Sequence, residues 1–403
     1  MITRTTTTTR SRTVSRLPTD AALNEVVRLI SMDTTSRDSN LQLIDHVVEL
    51  LKGVGIESTL VPNADGTKAN LLASFPAADG GVEGGIVLSA HTDVVPVDGQ
   101  PWSSDPFAAE IRDGRLYGRG SADMKSFLAV VLTKLGDIVA QPLAEPIHLA
   151  LSYDEEIGCV GAVTLVERIG ELGLKPRGCI VGEPTSMRII RGHKSINTMK
   201  VHFRGVAAHS SLTPQGVNAI AYAARFVDFV EQVADEFRAN GPFDDGFVVP
   251  FTTTTANIIE GGIAVNTIPA DCTVNFEFRG LVSVSQAELT ERYRAEAARL
   301  EALMQAKNPA AGVEFTVLSS SPGLDGPTDS EIFGLATAWG GVPSADKVTY
   351  GTEAGLFANA GIPTVVCGPG DIAQAHSPDE FIDVEQIALC EDFIDRVIAH
   401  ARG

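Results

Sequence analysis

From Ala21 onward, apolar positions recur with the spacing of one helix face, in Leu23, Val26, Val27, Leu29 and Ile30. The same spacing returns through LQLIDHVVELLKGVG, where Gly53 and Gly55 supply the stop. Between such helices lie short unbroken apolar runs: NLLASF, GIVLSA, IHLALSY, CIVGE and, near the C-terminus, PTVVCG. A run of this length without polar alternation reads as a strand buried on both faces. Interleaved with helices such as SADMKSFLAVVLTKLGDIV, the runs predict an α/β fold, a mostly parallel sheet flanked by helices.

Between Gly192 and Ser321 the pattern changes to two strand-helix-strand units. The first is SINTMKVHFRG, VNAIAYAARFVDFVEQVADEF and FTTTTANIIEG; the second is ADCTVNFEFRG, SQAELTERYRAEAARLEALMQ and GVEFTVLSS. The β-α-β-β-α-β order is that of a ferredoxin-like α+β module set into the larger fold. The expected division is an α/β domain over residues 20–191 and 322–403, interrupted by an inserted domain over 192–321. Residues 1–19 are expected to form a disordered tail, because their arginines and threonine run leave little apolar face.

Composition narrows the class of function. The 51 acidic against 31 basic residues give a formal charge of −20, which argues against nucleic acid and against an anionic membrane surface as partner. No apolar run approaches the roughly 18 residues that span a bilayer. The five cysteines are scattered, with no CxxC pair, so free thiols in a reducing, cytoplasmic setting are expected.

In a parallel sheet, ligands bind beyond the carboxyl ends of the strands, so the residues after each run carry the chemistry. GIVLSA leads to His91, Thr92 and Asp93; IHLALSY leads to Asp154, Glu155 and Glu156; CIVG leads to Glu183; PTVVC leads on to His376. Asp123 stands in the Gly-flanked turn GRGSADMK. Two imidazoles and three carboxylates are what a pair of divalent ions such as zinc requires, with Asp123 as the natural bridge. Asp93 is placed to accept the second ring N–H of His91. Of the adjacent Glu155 and Glu156, one is expected to bind metal while the other serves as general base.

The stretches LSAHTDVVPVDG, GRGSADMKSFLA, SYDEEIGCVGA, VGEPTS and AHSPDEFI resemble the dinuclear-zinc deacylase and peptidase family of aminoacylases, glutamate carboxypeptidases and succinyl-diaminopimelate desuccinylases. The likeness runs from about Leu17 to the end. It implies a zinc-peptidase-like fold, a homodimer formed through the inserted domain, and hydrolysis of a small N-acyl amino acid. It also implies two zinc ions per subunit, with cobalt as a substitute: His91 and Glu183 on one, His376 and Glu156 on the other, and Asp123 between them. Glu155 becomes the base and Asp93 the residue that orients His91. His209, in GVAAHSS, is implied to reach the partner subunit's site and stabilise the oxyanion. Asn266 and Arg279 resemble the groups that bind the substrate's α-carboxylate, and Gly351, Thr352 and Glu353 a further pocket segment. The rival within this family is a sibling hydrolase for another acyl group; the rival outside it is a silent binder of amino-acid derivatives. His46, His148, His202 and His400 read as structural, and His193 sits at the hinge with no functional case.

Overall fold

The computed structural model describes residues 17–403. All five apolar runs enter one six-stranded sheet, in the order Ser58–Pro62, Ala69–Phe75, Ile147–Ser152, Ile86–His91, Gly178–Pro184 and Thr364–Gly368. The last four are mutually parallel, and Ala69–Phe75 runs against both of its neighbours. The first of the six was not expected; it is a short edge strand ending in Pro62, which has no N–H to give a ladder.

Successive residues of each central strand feed opposite layers. Leu88 packs with Leu149 and Ile180 against the helices Asp20–Ile30, Lys125–Thr133 and Val384–Ala401. Its neighbour Val87 joins Ala150, Cys179 and Val181 against the helices Ala162–Glu171 and Ala354–Asn359. Burial on both faces explains why these runs carry no polar alternation. Gly182 permits the tightest of these contacts: a Cβ there would lie 2.1 Å from the Phe127 ring. The helix that follows Asp123 can therefore lie against the strand that carries Glu183.

Residues 196–321 build a second, four-stranded antiparallel sheet in the order Thr253–Gly261, Asp271–Arg279, Ile196–Arg204 and Gly312–Ser321. In chain order this is the 2-3-1-4 arrangement of a ferredoxin-like module. Its strands alternate, with Met199, Val201 and Phe203 turned toward the helices Ala219–Asn240 and Gln286–Gln305. Phe226, Phe276, Phe278 and Tyr293 fill that core. Two short strands, Gly192–His193 and Leu324–Asp325, pair where the chain passes into and out of this sheet.

Of the expected tail, residues 1–16 lie outside the described residues. Thr19 is not tail. Its backbone N and Oγ1 donate to the buried Glu391 carboxylate at 2.9 and 2.5 Å, while its Oγ1 caps the first helix. The five cysteines are free and buried. Among the described residues no helix is long and apolar enough to cross a membrane.

Candidate metal centre and active site

The carboxyl ends of the parallel strands gather the expected ligands into two groups that share Asp123: His91, Asp123 and Glu183, and Asp123, Glu156 and His376. His91, the last residue of its strand, lies with Nε2 2.9 Å from Asp123 Oδ1 and 3.7 Å from Glu183 Oε1. His376 Nε2 is 2.9 Å from Glu156 Oε2 and 3.4 Å from Asp123 Oδ2. In each group every potential ligand atom lies within 4.8 Å of the others.

The electrostatics of this cluster call for cations. Burial, then the charges of Asp123 and Glu155, push the Glu183 carboxyl well up. Burial and Asp123 raise Glu156 to about 7, against the pull of His376. Burial and the neighbouring carboxylates raise Glu155 to about 8, although His91 opposes them. Asp123 is buried too, yet hydrogen bonds from His376 and His91 hold it far below the usual carboxylate range. His376, bonded to Asp123 and Glu156, rises to about 10. Most tellingly, Glu183 Oε1 and Glu156 Oε1 are buried without any hydrogen-bond donor. Carboxylate oxygens do not stay so in a folded protein unless something positive serves them. Oxygen and imidazole donors in two shared triads fit a pair of divalent ions.

Glu155 and Glu156 diverge. Glu156 meets His376, whereas Glu155 belongs to neither triad and accepts from Cys159 Sγ at 3.2 Å. Both line a cleft of about 730 Å³ between the two sheets, together with Asp123, Glu183 and His376. Ile196, Thr198, Arg279 and Ser319 form its far wall. Arg279 thus faces the cluster, with one Nη 3.0 Å from Glu277 Oε2.

Other expectations need correcting. The ring Nδ1 of His91 donates to the backbone oxygen of Asp93 at 2.9 Å, and the Asp93 carboxylate stands 3.6 Å away. That carboxylate instead accepts from the backbone N–H groups of Glu155 and Glu156, at 3.1 and 3.3 Å, and from Ser36 Oγ at 2.7 Å. Glu353 is not a pocket residue. It is fully buried, its two oxygens taken by Ser89 Oγ and Ser152 Oγ at 2.5 and 2.6 Å, while Gly351 alone of its segment of three lines the cleft. His209 and Asn266 lie beside each other, with Ser210 N donating to Asn266 O, but both are exposed and neither lines the cleft.

One structural carboxylate was missed. Glu380 is buried and accepts from the N–H groups of Gly120, Ala122 and Asp123 and from Arg119 Nη1. Arg119 in turn donates to Gln100 Oε1 at 2.8 Å, and Gln100 Nε2 donates to His376 O at 3.0 Å. His376 holds a left-handed φ of 61°, and this bond helps pin it there. One chain of contacts therefore sets both the shared Asp123 and one of the two histidines. Glu380 lies inside the AHSPDEFI motif, but a carboxylate that serves backbone amides has no spacing to betray it.

The sheet, the inserted module and the paired candidate triads are those of a metallohydrolase, and the model of peptidase family M20/M25/M40 matches residues 87–400. The chain belongs to that family. It is 35% identical over 385 residues to the acetylornithine deacetylase of Myxococcus xanthus, covering 94% of this chain and 97% of that one. It is 34% identical over 370 residues to the acetylornithine deacetylase of Proteus mirabilis (strain HI4320), covering 91% of each. The fold is similar to that of an M20 family metallo-carboxypeptidase from Sulfolobus solfataricus, with a TM-score of 0.73 at 17% identity over 95% of this chain and all of that one.

Proposed function

We propose that this enzyme removes the acetyl group from N2-acetyl-L-ornithine, giving L-ornithine and acetate for arginine biosynthesis. We further propose that it works in the cytoplasm as a homodimer with two zinc ions per subunit, which cobalt can replace. The observation that carries the hydrolytic reading is Asp123, common to two ligand groups, with the unligated Glu155 beside it on the cleft. The acetylornithine reading is supported by the relatives of that name, which match this chain over nearly its whole length.

His91 with Glu183, and His376 with Glu156, would hold the two ions about Asp123; when bound they supply Lewis acidity to a carbonyl and to the attacking water. Glu155 takes the proton of that water as its oxygen bonds to the acyl carbon, then returns it to the amine nitrogen as the C–N bond breaks. Asp93, by gripping the amides of Glu155 and Glu156, keeps the base aimed while its neighbour binds metal. Arg279 offers a planar fork to the substrate's α-carboxylate.

In the homodimer, residues 192–321 serve as lid and dimerisation domain on the catalytic domain of residues 20–191 and 322–403. The exposed pair His209 and Asn266 then serves the partner's cleft rather than its own. Ile263 and Val265, 92% and 104% exposed beside them, offer an apolar contact.

A second reading has its own support. Ile157, Val160, Ile196, Leu318 and Ile372 line the cleft, a wall suited to uncharged side chains and hence to a broader N-acyl-amino-acid hydrolase. The deciding experiment compares kcat/KM for N-acetyl-L-ornithine, N-acetyl-methionine and N-succinyl-diaminopimelate on protein stripped by chelator and reloaded with zinc. A metal-dependent preference for acetylornithine above about a hundredfold, roughly 2.7 kcal/mol, is expected. Preference for another substrate in the panel overturns the substrate, and no hydrolysis overturns the enzyme.

A further inference from the structure

Tyr350 lines the same cleft as Asp123, Glu155 and Glu183, and the reaction described above leaves it without a task. Among the described residues its hydroxyl has no hydrogen-bond partner. Tyr293, a fully buried phenol, donates its hydroxyl to Thr254 Oγ1 at 2.9 Å, whereas the half-buried Tyr350 leaves its hydroxyl open to the cleft. Burial raises the Tyr350 pKa, and the charges of Glu183, Asp123 and Asp371 add to it. The group is a neutral donor at every physiological pH.

The mount is firm. A Cβ on Gly351 would lie 2.4 Å from Ile196 Cγ1, so the backbone after Tyr350 is pressed against the strand that enters the inserted sheet. Before it, Lys347 Nζ bridges Asp244 Oδ2 and Asp325 Oδ1 at 2.6 Å each. A donor fixed before reaction stabilises charge that develops in the transition state without the cost of reorganising. The substrate carboxylate already has Arg279. The acyl oxygen, which gains its charge beside Glu155, has been given no hydrogen-bond donor from this chain's own side chains.

We propose that Tyr350 donates a hydrogen bond to the acyl oxygen as the carbon turns tetrahedral, an oxyanion donor supplied within the subunit. The assignment rests on the hydrolytic reading, so the wild-type enzyme is assayed first: absence of turnover there defeats that reading. With turnover established, Tyr350→Phe should lower kcat about 10²–10³-fold with little change in KM. Affinity for a tetrahedral phosphonate analogue of the substrate should fall by a similar factor, while binding of L-ornithine and metal content stay unchanged. A second variant with 3-fluorotyrosine at position 350 keeps ring and hydroxyl and should retain kcat near the wild-type value. An unchanged kcat in Tyr350→Phe overturns the proposal. So does a rise in KM alone, or an equal loss of rate in both variants, which would trace the effect to packing.

Discussion

Glu155 and Glu156 are neighbours in the chain that meet opposite surroundings, one bonded to the Cys159 thiol, the other to the His376 ring. Replacing the first should therefore separate chemistry from metal binding. Glu155→Ala is expected to lower kcat by about 10²–10⁴-fold while two ions per chain remain, checked by steady-state kinetics and metal content. Near-normal kcat would remove Glu155 from the mechanism. At this scale the sequence was legible where a strand end places a candidate ligand, as with His91 and Glu183, which the fold brings together because its grammar fixes which edge those residues reach. It was misleading where direction is set after the strand. Glu353 follows the cleft-lining Gly351 by two residues, yet its carboxylate is taken up beneath the cleft by two serines. Asp93 likewise serves amides more closely than the imidazole for which its spacing suited it.

The short strand Gly192–His193 marks the crossing into the inserted sheet, and its histidine is fully buried. Nδ1 bonds to the backbone oxygen of Lys194 at 2.9 Å, and Nε2 has no donor or acceptor opposite it. Burial lowers the His193 pKa from 6.5 to about 4. The unfolded chain therefore binds the proton more readily than the folded one. The contribution of a neutral His193 is present above pH 6.5 and is lost as the pH falls toward 4, amounting to about 3 kcal/mol there. His193→Gln should accordingly flatten the fall in urea midpoint between those pH values relative to wild type; parallel profiles would refute the assignment. Elements with a strong pattern were readable from sequence: five apolar runs became five sheet strands, and the two inserted units took their expected order. Ser58–Pro62 was not, because an edge strand that is only half-buried carries neither a continuous apolar run nor a clean alternation.

Across the whole molecule, two sheets enclose the cleft, and the exposed loop with Ile263 and Val265 lies beside His209 and Asn266. If these meet a second copy, the double variant Ile263→Asp, Val265→Asp should run as a monomer in light scattering and lose turnover while keeping its metal. A fully active monomer would refute the shared site. The Glu380 carboxylate that fixes the Asp123 loop lies 257 residues further along the chain. At about 5–20 residues per second, a ribosome spends roughly 13 to 50 seconds between the two. The inserted sheet lies wholly within that interval and is complete on emergence, whereas the Asp123 turn waits for its last support. A nascent chain halted just before residue 380 therefore carries every candidate ligand but lacks the carboxylate that fixes the Asp123 turn they share.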